Sequence, residues 1–307
     1  MQHGKYRFIV GFLAAPLALY ALFVIWPFAQ SIYYSFTDWT GLSPDFRMVG
    51  FDNYSRMLDD DIFWKSLQHS VLLALLLPLV TLGLALFFAF MLNVGGRRRK
   101  NAAVAGVRGS SFYKIAYFFP QVLSIVIVAL LFQFAFNPTS GMLNETLKAV
   151  GLKSLQPDWL GDPDLALYCV MVVLIWSTVG FFVVLFSAGM ASIPKDFYEA
   201  ALLDGADRIT TFFRITLPLL WDTVQSGWVY MGILALGVEA FTAVQVMTVG
   251  PGGPDYSTTV LPLYVYQTAF RDAQAGYATT IGVGLLIVTM LFAGIVMRLG
   301  RRERLEF

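Results

Sequence analysis

The sequence predicts an all-α integral membrane protein with six transmembrane helices. Three observations predict it. Of 307 residues, 57% are hydrophobic, 16% are aromatic and only 13% are charged, against about 25% charged in a soluble domain. Mean hydropathy is +0.66. Six apolar stretches are each long enough for a bilayer core of about 30 Å, which needs roughly 20 residues per helix. The basic residues fall unevenly on the segments that join those stretches.

The stretches lie at 8–35, 66–92, 115–136, 165–191, 223–247 and 277–297. Five have no ionisable side chain in their central part; the fifth in order contains Glu239. Lys5 and Arg7 precede the first. Its apolar run is longer than a signal-peptide core and no clear A-x-A site comes after it, so an uncleaved first helix is expected. The lone Cys169 sits in a span and excludes an internal disulfide framework. No repeat or low-complexity tract divides the chain. It reads as a first helix and outer loop over 1–65, a helical core over 66–297 and a short tail over 298–307.

Positive charge orients the bundle. One side holds Lys5 and Arg7; Arg97, Arg98, Arg99, Lys100, Arg108 and Lys114; Lys195, Arg208 and Arg214; and Arg298, Arg301, Arg302 and Arg304, which is 15 of the 21 basic residues. The other side holds Arg47, Arg56, Lys65, Lys148, Lys153 and Arg271. Cytoplasmic loops carry the excess of Lys and Arg, so both termini of this multi-pass protein are placed in the cytoplasm, at the cell membrane. The basic run at 97–100 reads as a topology anchor. A net charge of +1 points to no nucleic-acid partner.

This orientation puts the loop between the fourth and fifth spans in the cytoplasm. It is polar and built to fold. Residues 196–203 are helix-prone, and the acidic start suits the positive end of a helix dipole. Gly205 permits the positive-φ turn that ends such a helix. Asp207 can N-cap a second one. Pro218 is expected to close the element.

Glu199, Ala200 and Ala201, then Asp204, Gly205 and Ala206, then Phe212, Ile215, Leu217 and Pro218 closely resemble the EAA loop of importer-type ABC permeases, in the form used by the carbohydrate branch of maltose and glycerol-phosphate type. The resemblance implies a type I ABC importer permease fold. It also implies that 194–218 is a coupling helix that docks on a separate ATPase. Other stretches resemble the same branch. Gly50, Asn53 and Tyr54 match a G-x-x-N-Y signature before the second span. Asn137, Pro138, Gly141 and Asn144 match an N-P-x-x-G-x-x-N turn after the third. Thr248 to Pro254 resembles a T-x-G-G-P turn, with the Gly-Gly-Pro displaced from the family spacing.

A substrate pathway has fewer sequence marks. An intramembrane carboxylate is costly and usually faces a bundle interior or a wet cavity. Helical spacing puts Trp228, Gly232, Ala235, Glu239 and Thr242 on one stripe. This stripe suits a sugar, through ring stacking and hydroxyl hydrogen bonds, and equally suits helix–helix packing. Gln121, Ser124 and Val128 share a face of the third span, from which Gln133 is excluded by spacing. Trp176, Gly180 and Ser187 mark the fourth. The acidic run Asp59, Asp60 and Asp61 reads as a solvated outer loop with a structural or docking role.

No G-x-x-x-x-G-K-[ST] motif occurs, and neither His3 nor His69 has a metal-ligand neighbour. No metal site, catalytic constellation or cofactor is expected on this chain. The resemblance implies that ATP and magnesium belong to a partner ATPase dimer. The other implied partners are a second homologous permease, an extracellular binding protein, membrane lipid and a mono- or disaccharide, with amino sugars included. The alternatives are an ABC permease for another solute such as glycerol phosphate, and a secondary transporter. The latter is disfavoured because the sequence shows neither inverted repeats nor interrupted spans.

Overall fold

A computed structural model describes residues 3–94, 107, 109–152, 154, 156–248, 250 and 252–300. The basic run at 97–100, Arg108, Lys153, Val249, Pro251, Arg301, Arg302 and Arg304 lie outside the described residues. In chain order the helices are α1 (His3–Tyr20), α2 (Trp26–Tyr34), α3 (Asp52–Leu58), α4 (Asp61–Val94), α5 (Ser110–Val122), α6 (Ile125–Ala135) and α7 (Met142–Ala149). They continue with α8 (Ala166–Ser192), α9 (Lys195–Leu203), α10 (Arg208–Thr211), α11 (Leu217–Leu219), α12 (Trp221–Ala235), α13 (Val238–Met247), α14 (Leu261–Tyr266) and α15 (Ala275–Leu299). Among the described residues the extended structure amounts to one isolated bridge, Thr37 to Met48.

Among the described residues four helices are long and apolar enough to cross a membrane: Gly11–Tyr34, Asp61–Asn93, Ala166–Ser192 and Ala275–Leu299. The third and fifth predicted spans are each a broken pair, α5 with α6 bent by 94° and α12 with α13 bent by 46°. Counting each pair as one span gives six. The expectation of uninterrupted spans is therefore corrected, and interrupted helices no longer separate this chain from a secondary transporter.

Each break has a local cause. Pro120 lies in the last turn of α5, and Leu123 and Ser124 are extended, with ψ of 142° and 136°. At the other break Gly237 is extended, and a Cβ there would meet the Ile233 carbonyl at 2.7 Å. Any side chain at Gly237 forces the Ile233 carbonyl to shift.

Two π turns have a shared cause. Ala21–Ile25 and Phe212–Thr216 each end two residues before a proline, Pro27 and Pro218. Widening the turn relieves the clash of the proline ring with the preceding turn and absorbs the missing N–H.

The chain forms two compact units. The first comprises the described residues up to Trp64 together with Tyr264–Ile287. Asn53 Nδ2 donates to the Ser35 and Thr37 carbonyls at 2.9 and 2.8 Å, and the Tyr54 hydroxyl meets Ser35 Oγ at 2.7 Å. The G-x-x-N-Y signature is thus an internal staple. Asp60 is half-buried, which corrects the solvated reading: its Oδ2 accepts from both the Tyr264 and Tyr277 hydroxyls. The Arg56 guanidinium lies 3.9 Å from the centre of the Tyr277 ring.

The second unit comprises Lys65–Leu263 and the described residues from Val288 onward. Its core centres on α8, where Leu174, Phe182 and Phe186 are fully buried. α8 packs on α5, and Gly180 lets the backbones touch: a Cβ there would overlap the Tyr117 carbonyl. α6 packs on α13, and Val128, Ala129, Ala240, Ala243, Val244 and Met247 are the buried residues of that pair. The N-P-x-x-G-x-x-N turn is also a staple. Asn137 Oδ1 accepts from the backbone N–H groups of Thr139 and Ser140. Buried Asn144 donates to the Pro138 carbonyl and accepts from Trp159 Nε1.

Candidate functional site

The loop between α8 and α12 is built by backbone rules. α9 starts with Asp196 in its first turn. It ends in a Schellman closure: the Gly205 N–H donates to the Leu202 carbonyl at 3.2 Å and the Ala206 N–H to the Ala201 carbonyl at 2.9 Å. Gly205 has φ of +75° with nothing within 4 Å of its virtual Cβ. Its requirement is therefore conformational rather than spatial. Asp207 N-caps α10, its Oδ1 accepting from the Thr210 N–H at 2.8 Å. Hydrogen bonding from the Thr210 side chain, and then from its backbone N–H, lowers the Asp207 pKa below the usual carboxylate range.

Pro218 does not close the element, contrary to the expectation from sequence. The chain stays helical through α10, the π turn and α11, with the Leu217 N–H reaching the Phe212 carbonyl. The π turn makes room for the proline, so the loop leads with little interruption into α12.

Two buried contacts hold the loop. The Tyr198 hydroxyl meets Thr216 Oγ1 at 3.3 Å, and burial pushes the Tyr198 phenol up despite that bond. The Phe212 ring packs edge-on against Phe90 of α4, with centroids 4.9 Å apart. Ala201 is buried, whereas Glu199, Ala200, Asp204 and Gly205 are exposed; Ala206, Phe212, Leu217 and Pro218 are half-buried. Leu203, Ile209 and Phe213 are 88%, 67% and 61% exposed.

A second feature lies at the two helix breaks. Gln121 at the end of α5, Ser177 and Thr178 of α8, Tyr230 of α12 and Glu239 at the start of α13 line one small pocket of about 70 Å³. Thr178 Oγ1 and Ser177 Oγ bond back to the Leu174 carbonyl. Tyr230 stacks on Phe181 with centroids 5.9 Å apart.

The predicted pathway residues divide. Glu239 and Gln121 come together; Trp228, Thr242, Ser124 and Trp176 do not line this pocket. The stripe from Trp228 to Thr242 is interrupted by the bend at Gly237, and the face of Gln121, Ser124 and Val128 by the extended pair at Leu123 and Ser124. Trp176 instead packs edge-on against Phe132. Sequence reasoning missed Tyr230, Ser177 and Thr178. The available signal was Pro120 with Ser124 after it, and Gly237 beside Glu239, marking the breaks on which these side chains converge.

A multi-span helical protein with two broken spans and an ordered polar loop between its fourth and fifth hydrophobic segments is a permease-type membrane component. The chain belongs to the family of binding-protein-dependent transport system inner membrane components, whose model matches residues 101–305. It is similar to the diacetylchitobiose uptake system permease NgcF of Streptomyces coelicolor, 45% identical over 98% of this chain and 84% of that one. It is 35% identical to the multiple sugar-binding transport system permease MsmF of Streptococcus mutans, over 95% and 94% of the two chains. Sulfoquinovosyl glycerol permease SmoG of Agrobacterium fabrum is 31% identical over 97% and 92%. The fold is shared with a chain of a bacterial ABC transporter that imports the acidic polysaccharide alginate, at TM-score 0.78 and 22% identity, covering 98% of this chain and 97% of that one.

Proposed function

We propose that this chain is one permease subunit of an ATP-driven sugar importer, with both termini in the cytoplasm. The observation that carries the sugar reading is the convergence of Glu239, Gln121 and Tyr230 at the two helix breaks. An aromatic ring beside a carboxylate and an amide offers stacking and hydrogen bonds to hydroxyls. The pocket is too small for a sugar ring, so a ring enters only when the bent pairs part. The identity to a diacetylchitobiose permease makes an N-acetylated disaccharide the first substrate to test.

Transport proceeds by alternating access. A loaded extracellular binding protein docks on the outer loops. Two copies of an ATPase, which hold ATP and magnesium, receive this α9 loop and that of a second, homologous permease. The apolar side chains of Leu203, Ile209 and Phe213, exposed on an ordered loop, support a protein partner there. ATP binding draws the loops together, and the tie from Phe212 to Phe90 passes the movement to α4. Among the described residues no basic side chain lines the pocket, which disfavours a phosphate ester.

The test is uptake by proteoliposomes that hold the purified transporter and its binding protein. Labelled diacetylchitobiose, maltose, xylose and glycerol 3-phosphate are compared, with ATP inside. Uptake of a neutral sugar, strongly reduced by Glu239→Ala, is the expected result. Uptake of glycerol 3-phosphate alone overturns the sugar reading.

A further inference from the structure

The second unit holds another cavity, which the pathway described above does not use. It is an open groove of about 580 Å³, within the range of small-molecule sites. Phe134, Gln133 and Asn137 come from the end of α6 and the turn after it. Asp158 comes from the loop before α8, and Gly253 and Pro254 from the loop after α13.

Its placement is specific. α6 begins at the inner pocket with Ile125 and reaches the groove at Gln133 and Phe134. α13 begins at the pocket with Glu239 and reaches the groove at Met247. Eight residues separate the two cavities on each helix, about 12 Å at 1.5 Å per residue. α8 agrees in direction: it starts shortly after Gly161 at the groove, and Ser177 and Thr178 lie at the pocket. Between the cavities the α6–α13 seam is closed by small buried side chains, Val128, Ala129, Ala240, Ala243 and Val244.

The groove has free hydrogen-bonding capacity. The Gln133 amide forms no hydrogen bond among the described residues. Asp158 uses Oδ1 to accept from the Gly161 N–H at 3.0 Å, leaving Oδ2 open among the described residues. The Phe134 side chain is largely exposed. An open ring face beside an unused amide and carboxylate fits a sugar ring, and a carboxylate with no cation among the described lining residues disfavours an acidic one.

We propose that this groove is a sugar-ring site that receives the substrate first, before the α6–α13 seam opens and the ring passes to the pocket at Glu239. This rests on the sugar-importer reading. In this conformation the groove has room for a ring and the inner pocket does not. The short span between them lets a disaccharide bridge the two sites once the seam opens.

The test uses the complete transporter in proteoliposomes with its binding protein and the sugar from the panel that wild type takes up fastest. Gln133→Ala and Asp158→Asn are compared with Gln133→Glu, which keeps an acceptor on a side chain of equal length. Asparagine at 158 keeps the oxygen that accepts from Gly161, and equal thermal midpoints establish folding. The expected result is uptake lowered about fivefold at saturating binding protein, the equivalent of one lost hydrogen bond. The half-saturating concentration of binding protein stays unchanged, and Gln133→Glu retains more uptake than Gln133→Ala. A raised half-saturating concentration with full maximal uptake makes the groove a seat for the binding protein and overturns the proposal. Unchanged uptake in both variants overturns it while leaving the importer reading intact. No uptake of any sugar by wild type overturns both.

Discussion

Tyr198 and Thr216 share a buried hydrogen bond of 3.3 Å that joins α9 to the π turn before Pro218. Both side chains are buried. Thr216 also donates to the Thr211 carbonyl at 3.4 Å, so one hydroxyl bridges the two arms of the loop. Removing the phenol oxygen in Tyr198→Phe leaves Thr216 with a partner. The cost is about 1 kcal/mol, that of a net hydrogen bond. The expected outcome is a slightly lower thermal midpoint and fewer sugars imported per ATP hydrolysed. Both are read on the reconstituted transporter; an unchanged transport ratio removes Tyr198 from force transmission.

Gly205 separates backbone strain from crowding. No atom stands within 4 Å of a Cβ at this position, and φ is +75°. The left-handed conformation costs a non-glycine residue roughly 1–2 kcal/mol, more when it is β-branched. Gly205→Val is therefore expected to uncouple ATP hydrolysis from uptake, and Gly205→Asn to do so far less, because asparagine tolerates this region. Paired measurement of phosphate release and sugar uptake decides it. Full uptake in the valine variant excludes the turn from coupling.

Much of the loop was legible because its geometry is local. Gly205 and Asp207 obey turn and capping rules that need no knowledge of the rest of the chain. The broken spans were marked only weakly, by Pro120 with Ser124 and by Gly237, because the apolar run carries on across each break. Proline alone did not give them away: Pro78 lies inside an unbroken α4, whereas Pro120 ends α5. The difference is made by Leu123 and Ser124, whose extended backbone stops the helix after Pro120. The pocket inherited that blindness. Tyr230 reaches the pocket of Glu239 only after the 46° bend, which a straight-helix stripe cannot represent.

Asp60 gives a pH dependence. Burial works to raise its pKa, but donation from Tyr264, Tyr277 and the Phe63 and Ile62 N–H groups prevails, and the pKa is lowered. Burial, and then the bond to Asp60, push the Tyr264 phenol upward, so it remains a donor. A lowered folded-state pKa means stability fully present above the ordinary aspartate value of about 4 and lost as pH falls through the lowered one. Thermal midpoints from pH 7 to pH 3 should show wild type above Asp60→Asn at neutral pH, with the gap closing in acid. A gap that widens in acid contradicts the assignment.

Gly180 tests the packing that positions the inner pocket. A Cβ there would overlap the Tyr117 carbonyl, and backbone cannot yield as a flexible side chain can. Gly180→Ala must push α5 from α8, at about 1–3 kcal/mol for overpacking. Gly227 is the internal control: its virtual Cβ meets the ends of the Leu82 and Phe182 side chains at 3.1 Å, which can shift by rotamer. Gly227→Ala should therefore lower the thermal midpoint less than Gly180→Ala. Because Gln121 stands on α5 and Thr178 two residues before Gly180, only the Gly180 variant should also lower sugar uptake by the folded fraction. Equal losses in the two variants would show that the α5–α8 approach is not what sets the pocket.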